Sequence, residues 1–176
     1  TVVLFKKSCT HFMEKINDLR RSFMTMQVLV NVRATINTKD SFYEEEMNFF
    51  DENGPLFEEL NNSFYKELVK SNFRKELEEK WGKQLFALAD LSLKTFSPEI
   101  INDLQSENKL TSKYTKLLGS AKIMFEGKER NLSQMTPFEQ SPDRQTRKKA
   151  VQAKFKWFEE HLEEFDGIYD ELVKVR

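Results

Sequence analysis

The sequence predicts a mainly α-helical chain: an antiparallel helical bundle carrying one short β-hairpin near residues 123–132. Three observations point there. Apolar residues recur at steps of three and four along most of the chain, the spacing that lines one face of a helix. Charged residues make up 32% and hydrophobic ones 39%, the balance of helices that keep one face wet. Only five Gly and four Pro occur in 176 residues, few for an all-β chain that turns about every 8–12 residues. Sixteen Phe side chains supply bulk for a core. The length suits one domain, so residues 1–176 are expected to form a single helical unit burying roughly 70% of its unfolded surface.

The first helix is expected from about Ser8 to Val32, with Phe12, Ile16, Leu19, Phe23, Met26 and Val30 on one stripe. Thr38 and Asp40 are both N-cap candidates for the second, which holds Phe42, Met47, Phe49 and Phe50. At Asn53-Gly54-Pro55 the proline either opens a new helix or kinks a continuous one, and Leu56, Phe57, Leu60, Phe64 and Leu68 carry the pattern on. A further run from Asn72 contains Phe73, Leu77 and Trp81, with punctuation at Gly82. Leu85, Leu88 and Leu91 then continue at three-residue steps. Ser97-Pro98-Glu99 is a start signal combining cap, N1 proline and first-turn acid. Its helix runs past Ile101, Leu104, Tyr114 and Leu117 with a break expected near Asn108. Ile123-Met124-Phe125 and Arg130-Asn131-Leu132 flank Gly127 as a hairpin, with Met124 and Phe125 facing opposite ways. A short helix near Ser133 follows. Ser141-Pro142-Asp143 then opens one last long helix through Val151, Phe155, Phe158, Leu162, Phe165, Tyr169 and Leu172.

Composition excludes several classes of function. With 28 basic and 29 acidic residues the net charge is −1, so no global field draws nucleic acid or anionic lipid. A single cysteine, Cys9, rules out an internal disulfide, and a packed thiol is its expected state. No apolar run is long enough for a bilayer, and the first residues lack the order of a signal peptide. A soluble, cytoplasmic protein is expected. Neither an initiator Met at the start nor a Gly or Pro at the end is present, so both ends look cut.

Catalytic chemistry finds no complete constellation. A zinc helix of the His-Glu-x-x-His type needs two imidazoles four residues apart, yet the only histidines are His11 and His161. The Glu-x-x-His motif of di-iron bundles fails as well, because Phe158 and Ser8 occupy the glutamate positions. Both histidines are expected to be solvated on helices. Cys9 and His11 stand two apart and do not face one another on a helix. No catalytic, cofactor-binding or metal-binding residue is therefore assigned.

Charge is laid out in blocks. Residues 144–156 carry six basic side chains and no acid, while 158–171 carry seven acids and neither Lys nor Arg. Arg144 and Arg147 are candidates for structural ion pairs, with the acids of 40–67 (nine against one Lys) as partners. The basic turns lack a free aromatic platform, since Phe155 and Trp157 are expected in the core at least in part; no nucleic-acid partner is inferred. The last helix bears more large apolar groups than one neighbour needs. Phe155, Phe158, Leu162, Phe165 and Tyr169 are thus the candidate interface, toward another lobe or a second copy, with Trp157 and Ile168 off that stripe.

Five short runs in this order resemble one family. They are Ile36 to Tyr43, Asn53 to Leu56, Ile123 to Ser133, Gln140 to Arg147 and Tyr169 to Arg176, and they resemble the oligoendopeptidase F family of zinc metallopeptidases. The resemblance implies a helical, clamshell-like enzyme that cuts short peptides inside a channel. Its His-Glu-x-x-His helix and a later glutamate bind zinc further along the chain than any residue here, so none of those roles is carried over. This chain would then be part of the non-catalytic N-terminal lobe, and its partner the missing C-terminal catalytic lobe. The competing expectation is a stand-alone helical scaffold or interaction module.

Overall fold

A computed structural model describes the backbone of residues 2–176 and the side chains from Thr10 onward; Cys9 lies outside the described side chains. The elements are α1 (Val2–Ile36), α2 (Ser41–Lys70), α3 (Arg74–Trp81), α4 (Lys83–Thr95), a 3-10 turn (Pro98–Ile100), α5 (Ile101–Gly119), β1 (Ile123–Phe125), β2 (Lys128–Arg130), α6 (Leu132–Glu139), α7 (Arg144–Glu160) and α8 (Leu162–Val175). The expected class holds: helices throughout and one two-stranded antiparallel hairpin. They fall into two compact units, residues 1–48 and 49–176.

In the first unit α1 extends beyond the expected limits at both ends. Of its stripe, Ile16 and Val30 are buried, whereas Phe12, Leu19 and Met26 stay exposed. Asp40, rather than Thr38, caps α2: its carboxylate accepts from the backbone N–H of Phe42 at 3.1 Å and Tyr43 at 3.4 Å.

The second unit shows how α2 tolerates an internal proline. Pro55 does not start a new helix; it sits inside α2, buried. Lacking an N–H, it leaves the carbonyl of Asp51 without its helical donor. Helix α5 supplies one, because Asn108 donates its side-chain N–H to that carbonyl at 3.2 Å. One turn earlier Gln105 donates to the Glu52 carbonyl at 2.7 Å. Asn108 therefore does not break α5, as its residue type suggested; it lies mid-helix and bonds across to α2. Asn108→Ala should cost about 1–3 kcal/mol by stranding a partly buried carbonyl. Pro55→Ala restores a backbone donor, so the cost of Asn108→Ala should shrink in that background. Urea unfolding of the four chains checks this, and equal costs in both backgrounds would refute the coupling.

Gly82 separates α3 from α4 with φ of +89°, where an L side chain is strained. Arg74 then ties the two helices, with Nε 2.8 Å from Glu78 and Nη2 3.2 Å from Asp90. The buried apolar residues of α4 are Phe86 and Ala89; Leu88 and Leu91 of the expected stripe are exposed. Ser97 and Pro98 start the 3-10 turn, which leads into α5.

In the hairpin, Phe125 pairs with Lys128 across a two-residue turn, Glu126 at φ +51° and Gly127 at φ +74°. Both angles are those of a type I′ turn, the hand that suits strand twist. Ile123 and Phe125 point inward and Met124 outward, as strand alternation requires. Asn131 then caps α6 in a reciprocal box with Gln134, and Asp143, not Ser141, caps α7. The hairpin, α6 and α7 enclose one core of Ala121, Ile123, Phe125, Met135, Ala150 and Trp157. The last helix is not continuous: it is interrupted at His161 into α7 and α8.

Candidate functional surface on the last two helices

The interruption at His161 fixes which side chains of α7 and α8 face in. Its backbone N–H turns to the Phe158 carbonyl at 3.2 Å, leaving the Trp157 carbonyl to the ring: Nδ1 lies 2.8 Å away. A carbonyl only accepts, so this contact needs the proton on Nδ1. The imidazole also stacks on the Trp157 indole, centroids 4.5 Å apart and planes 30° apart. His161 is thus a half-buried cap at the end of α7, not the solvated helix histidine expected; His11 is exposed. Phe158 and Phe165 complete the cluster at 5.1 and 5.9 Å from the indole, and Tyr114 of α5 meets Phe165 edge-on at 5.7 Å.

The five candidate interface residues divide accordingly. Phe158 and Phe165 turn inward and pack against the core. Phe155, Leu162 and Tyr169 face water, exposed by 59, 55 and 66%. Trp157 and Ile168, expected off the stripe, are buried, together with Ala150 of α7. Phe155, expected at least partly in the core, lies instead on the wet side, whereas Trp157 is buried as expected.

Arg147 donates from Nη1 to the main-chain carbonyls of Ser141 at 2.6 Å and Pro142 at 2.9 Å, holding the entry into α7. Arg144 is exposed. The acids of 40–67 do not use these turns where a partner is seen in the second unit, since Glu52 pairs with Lys109 at 2.9 Å; Lys154 pairs with Glu139 at 3.0 Å. At the head of α7, hydrogen bonds from the Thr146 hydroxyl and backbone N–H hold the Asp143 carboxyl below the usual carboxylate range.

One buried carboxylate stands apart. Asp51 of α2 is 8% exposed, and Ser112 of α5 donates its hydroxyl to it at 2.6 Å. Burial pushes its pKa up, against the opposing pull of Ser112 and Lys109. The folded chain then holds this proton more tightly than the unfolded one, so its contribution to stability falls as pH rises from the unfolded carboxylate range through the raised native value. Asp51→Asn should flatten that decline while keeping an acceptor for Ser112. Urea unfolding between pH 4 and 7 reads the effect (the range starts at the ordinary carboxylate value of about 4); a stability difference between the two chains that ignores pH would contradict it.

Residues 6–96 match the family described as the peptidase M3 N-terminal domain. Among solved structures, PZ peptidase A crystallised with an inhibitor is 56% identical, with TM-score 0.91 over 96% of this chain and 30% of its own. A protein assigned as an oligoendopeptidase F, crystallised by microfluidic seeding, is 55% identical with TM-score 0.88, over 93% of this chain and 29% of its own. Another so assigned, from Bacillus anthracis strain Ames, is 52% identical with TM-score 0.87, over 90% and 29%. No curated protein matches. The chain belongs to the peptidase M3 N-terminal domain family and spans about 30% of the length of these solved relatives.

The zinc that this family implies does not fit the residues described here. Among them no group of three or more His, Cys, Asp or Glu side chains could hold a metal ion. His161 has one ring nitrogen on a carbonyl and its face on an indole. No helix of the described residues is long and apolar enough to cross a membrane.

Proposed function

We propose that this chain is the N-terminal, non-catalytic lobe of a zinc-dependent, cytoplasmic oligopeptidase. It forms part of the wall of the channel in which short peptides are cut, and the zinc and its ligands belong to the catalytic lobe encoded beyond it. The observation that carries the reading is the 56% identity to PZ peptidase A over 96% of this chain but only 30% of that protein. Its helices, with α2 and α5 tied by side-chain bonds, suit a rigid wall rather than a reactive centre.

The test is to extend the chain through its gene and look for a His-Glu-x-x-His helix, then assay both proteins on short peptides. The full-length protein should cleave them, with activity lost to a chelator and restored by zinc. The 176-residue chain should neither cleave peptides nor retain zinc after dialysis. A gene without the motif, or a chelator-sensitive activity in the short chain, would overturn the assignment.

A further inference from the structure

We infer that the outward stripe of Phe155, Leu162 and Tyr169 is the seat of the catalytic-lobe polypeptide, an intramolecular interface between the two lobes. The inference rests on the reading just given. Two turns apart each, these residues stay on one side of α7 and α8, more than half exposed, while the opposite side is sealed by Trp157 and Ile168. Three large apolar groups in register on one face mark a contact surface rather than scattered surface residues. The solved relatives supply an occupant, since about 30% of their length accounts for everything described here.

Charge says what that occupant looks like and argues against a second copy. Glu159 and Asp166 lie one turn beyond Phe155 and Leu162, exposed, and neither forms an ion pair among the described residues. Between Phe155 and Tyr169 the chain carries five acids and one Lys. Two copies meeting stripe to stripe about a two-fold axis would set acids against acids. A segment with an apolar ridge flanked by Lys or Arg would instead neutralise them.

Thiol labelling tests this in the full-length protein. In a Cys9→Ser background with other reactive thiols removed, single cysteines are placed at 155, 162 and 169 on the stripe and at 156, 163 and 170 beside it. All six positions are exposed in the present chain. In the full-length protein the stripe cysteines should react at least about tenfold more slowly than the flanking ones, because access limits thiol reactivity. In the 176-residue chain the six should react alike. Equal rates in the full-length protein would overturn the interface even if that protein is an active peptidase. Slowing of the stripe in the short chain that grows with concentration would assign the surface to a homodimer instead, and overturn it equally. Loss of the peptidase reading itself shows separately, as a full-length protein without chelator-sensitive activity.

Discussion

Trp157→Ala is expected to remove about 3–5 kcal/mol, a large part of the margin of about 5–15 kcal/mol that holds an ordinary domain folded. The indole sits where α7, α8 and the hairpin core meet. It is 5% exposed and belongs to the cluster of Ile123, Phe125 and Met135. It also carries two contacts of the helix break, the stacked His161 ring and the Trp157 carbonyl that this ring caps. Truncation leaves a cavity and removes the platform that holds the cap. Trp157→Phe keeps an aromatic face and should lose much less, whereas Phe155→Ala, two residues away on the wet side, should stay within about 0.5 kcal/mol. Urea unfolding followed by circular dichroism makes the comparison. Equal losses at 155 and 157 would show that the two faces have been confused.

Much of the second unit was legible because its signals are local. Gly127 announces a turn wherever positive φ is needed, and strand alternation then assigned Met124 and Phe125 to opposite faces. Gly82 and Ser97-Pro98 marked real boundaries for the same reason: one residue's backbone preference decides them. Pro55 and Asn108 were ambiguous alone. A proline inside a helix is tolerated only if something else satisfies the freed carbonyl, and that donor lies 53 residues further along the chain, on another helix. Helix-breaking character at Asn108 and helix-breaking character at Pro55 cancel as a pair. Neither residue reveals this without the other.

Helix faces were harder to assign than helix existence. Steps of three, as in Leu85, Leu88 and Leu91, drift about 60° backwards each time on a helix of 3.6 residues per turn, so they wind off any one face. The buried pair in α4, Phe86 and Ala89, begins one residue later. In α7 and α8 the seven-residue spacing of Phe155, Leu162 and Tyr169 does mark one face, but the outer one. The inner face runs through Trp157, His161, Phe165 and Ile168, and it was hidden because a histidine interrupts it and no Gly or Pro announces the break. The available signal was Trp157 and His161 four apart, close enough on a helix to touch. That no His-Glu-x-x-His motif occurs in these residues is read from the sequence alone, since the two histidines stand 150 residues apart.

Phe86→Ala is the second substitution expected to cost about 3–5 kcal/mol, and it separates core from stripe within a single helix. The Phe86 ring is 0% exposed, and the Arg74 guanidinium of α3 lies over it at 4.9 Å from the centroid. Arg74 is held there by Glu78 and Asp90, whose hydrogen bonds raise its already high pKa, so it stays charged. Without the ring, the guanidinium keeps its carboxylates but loses the surface it covers, and α3 loses its packing against α4. Phe86→Leu preserves apolar volume without the π face and should cost about 1.5 kcal/mol or less. Leu91→Ala, on the exposed side of the same helix, should stay within about 0.5 kcal/mol. If the periodicity of Leu85, Leu88 and Leu91 rather than the geometry located the core, Leu91→Ala would be the damaging change and Phe86→Ala the mild one. Unfolding midpoints for the three variants decide between these outcomes, and the expected order of loss is Phe86→Ala, then Phe86→Leu, then Leu91→Ala.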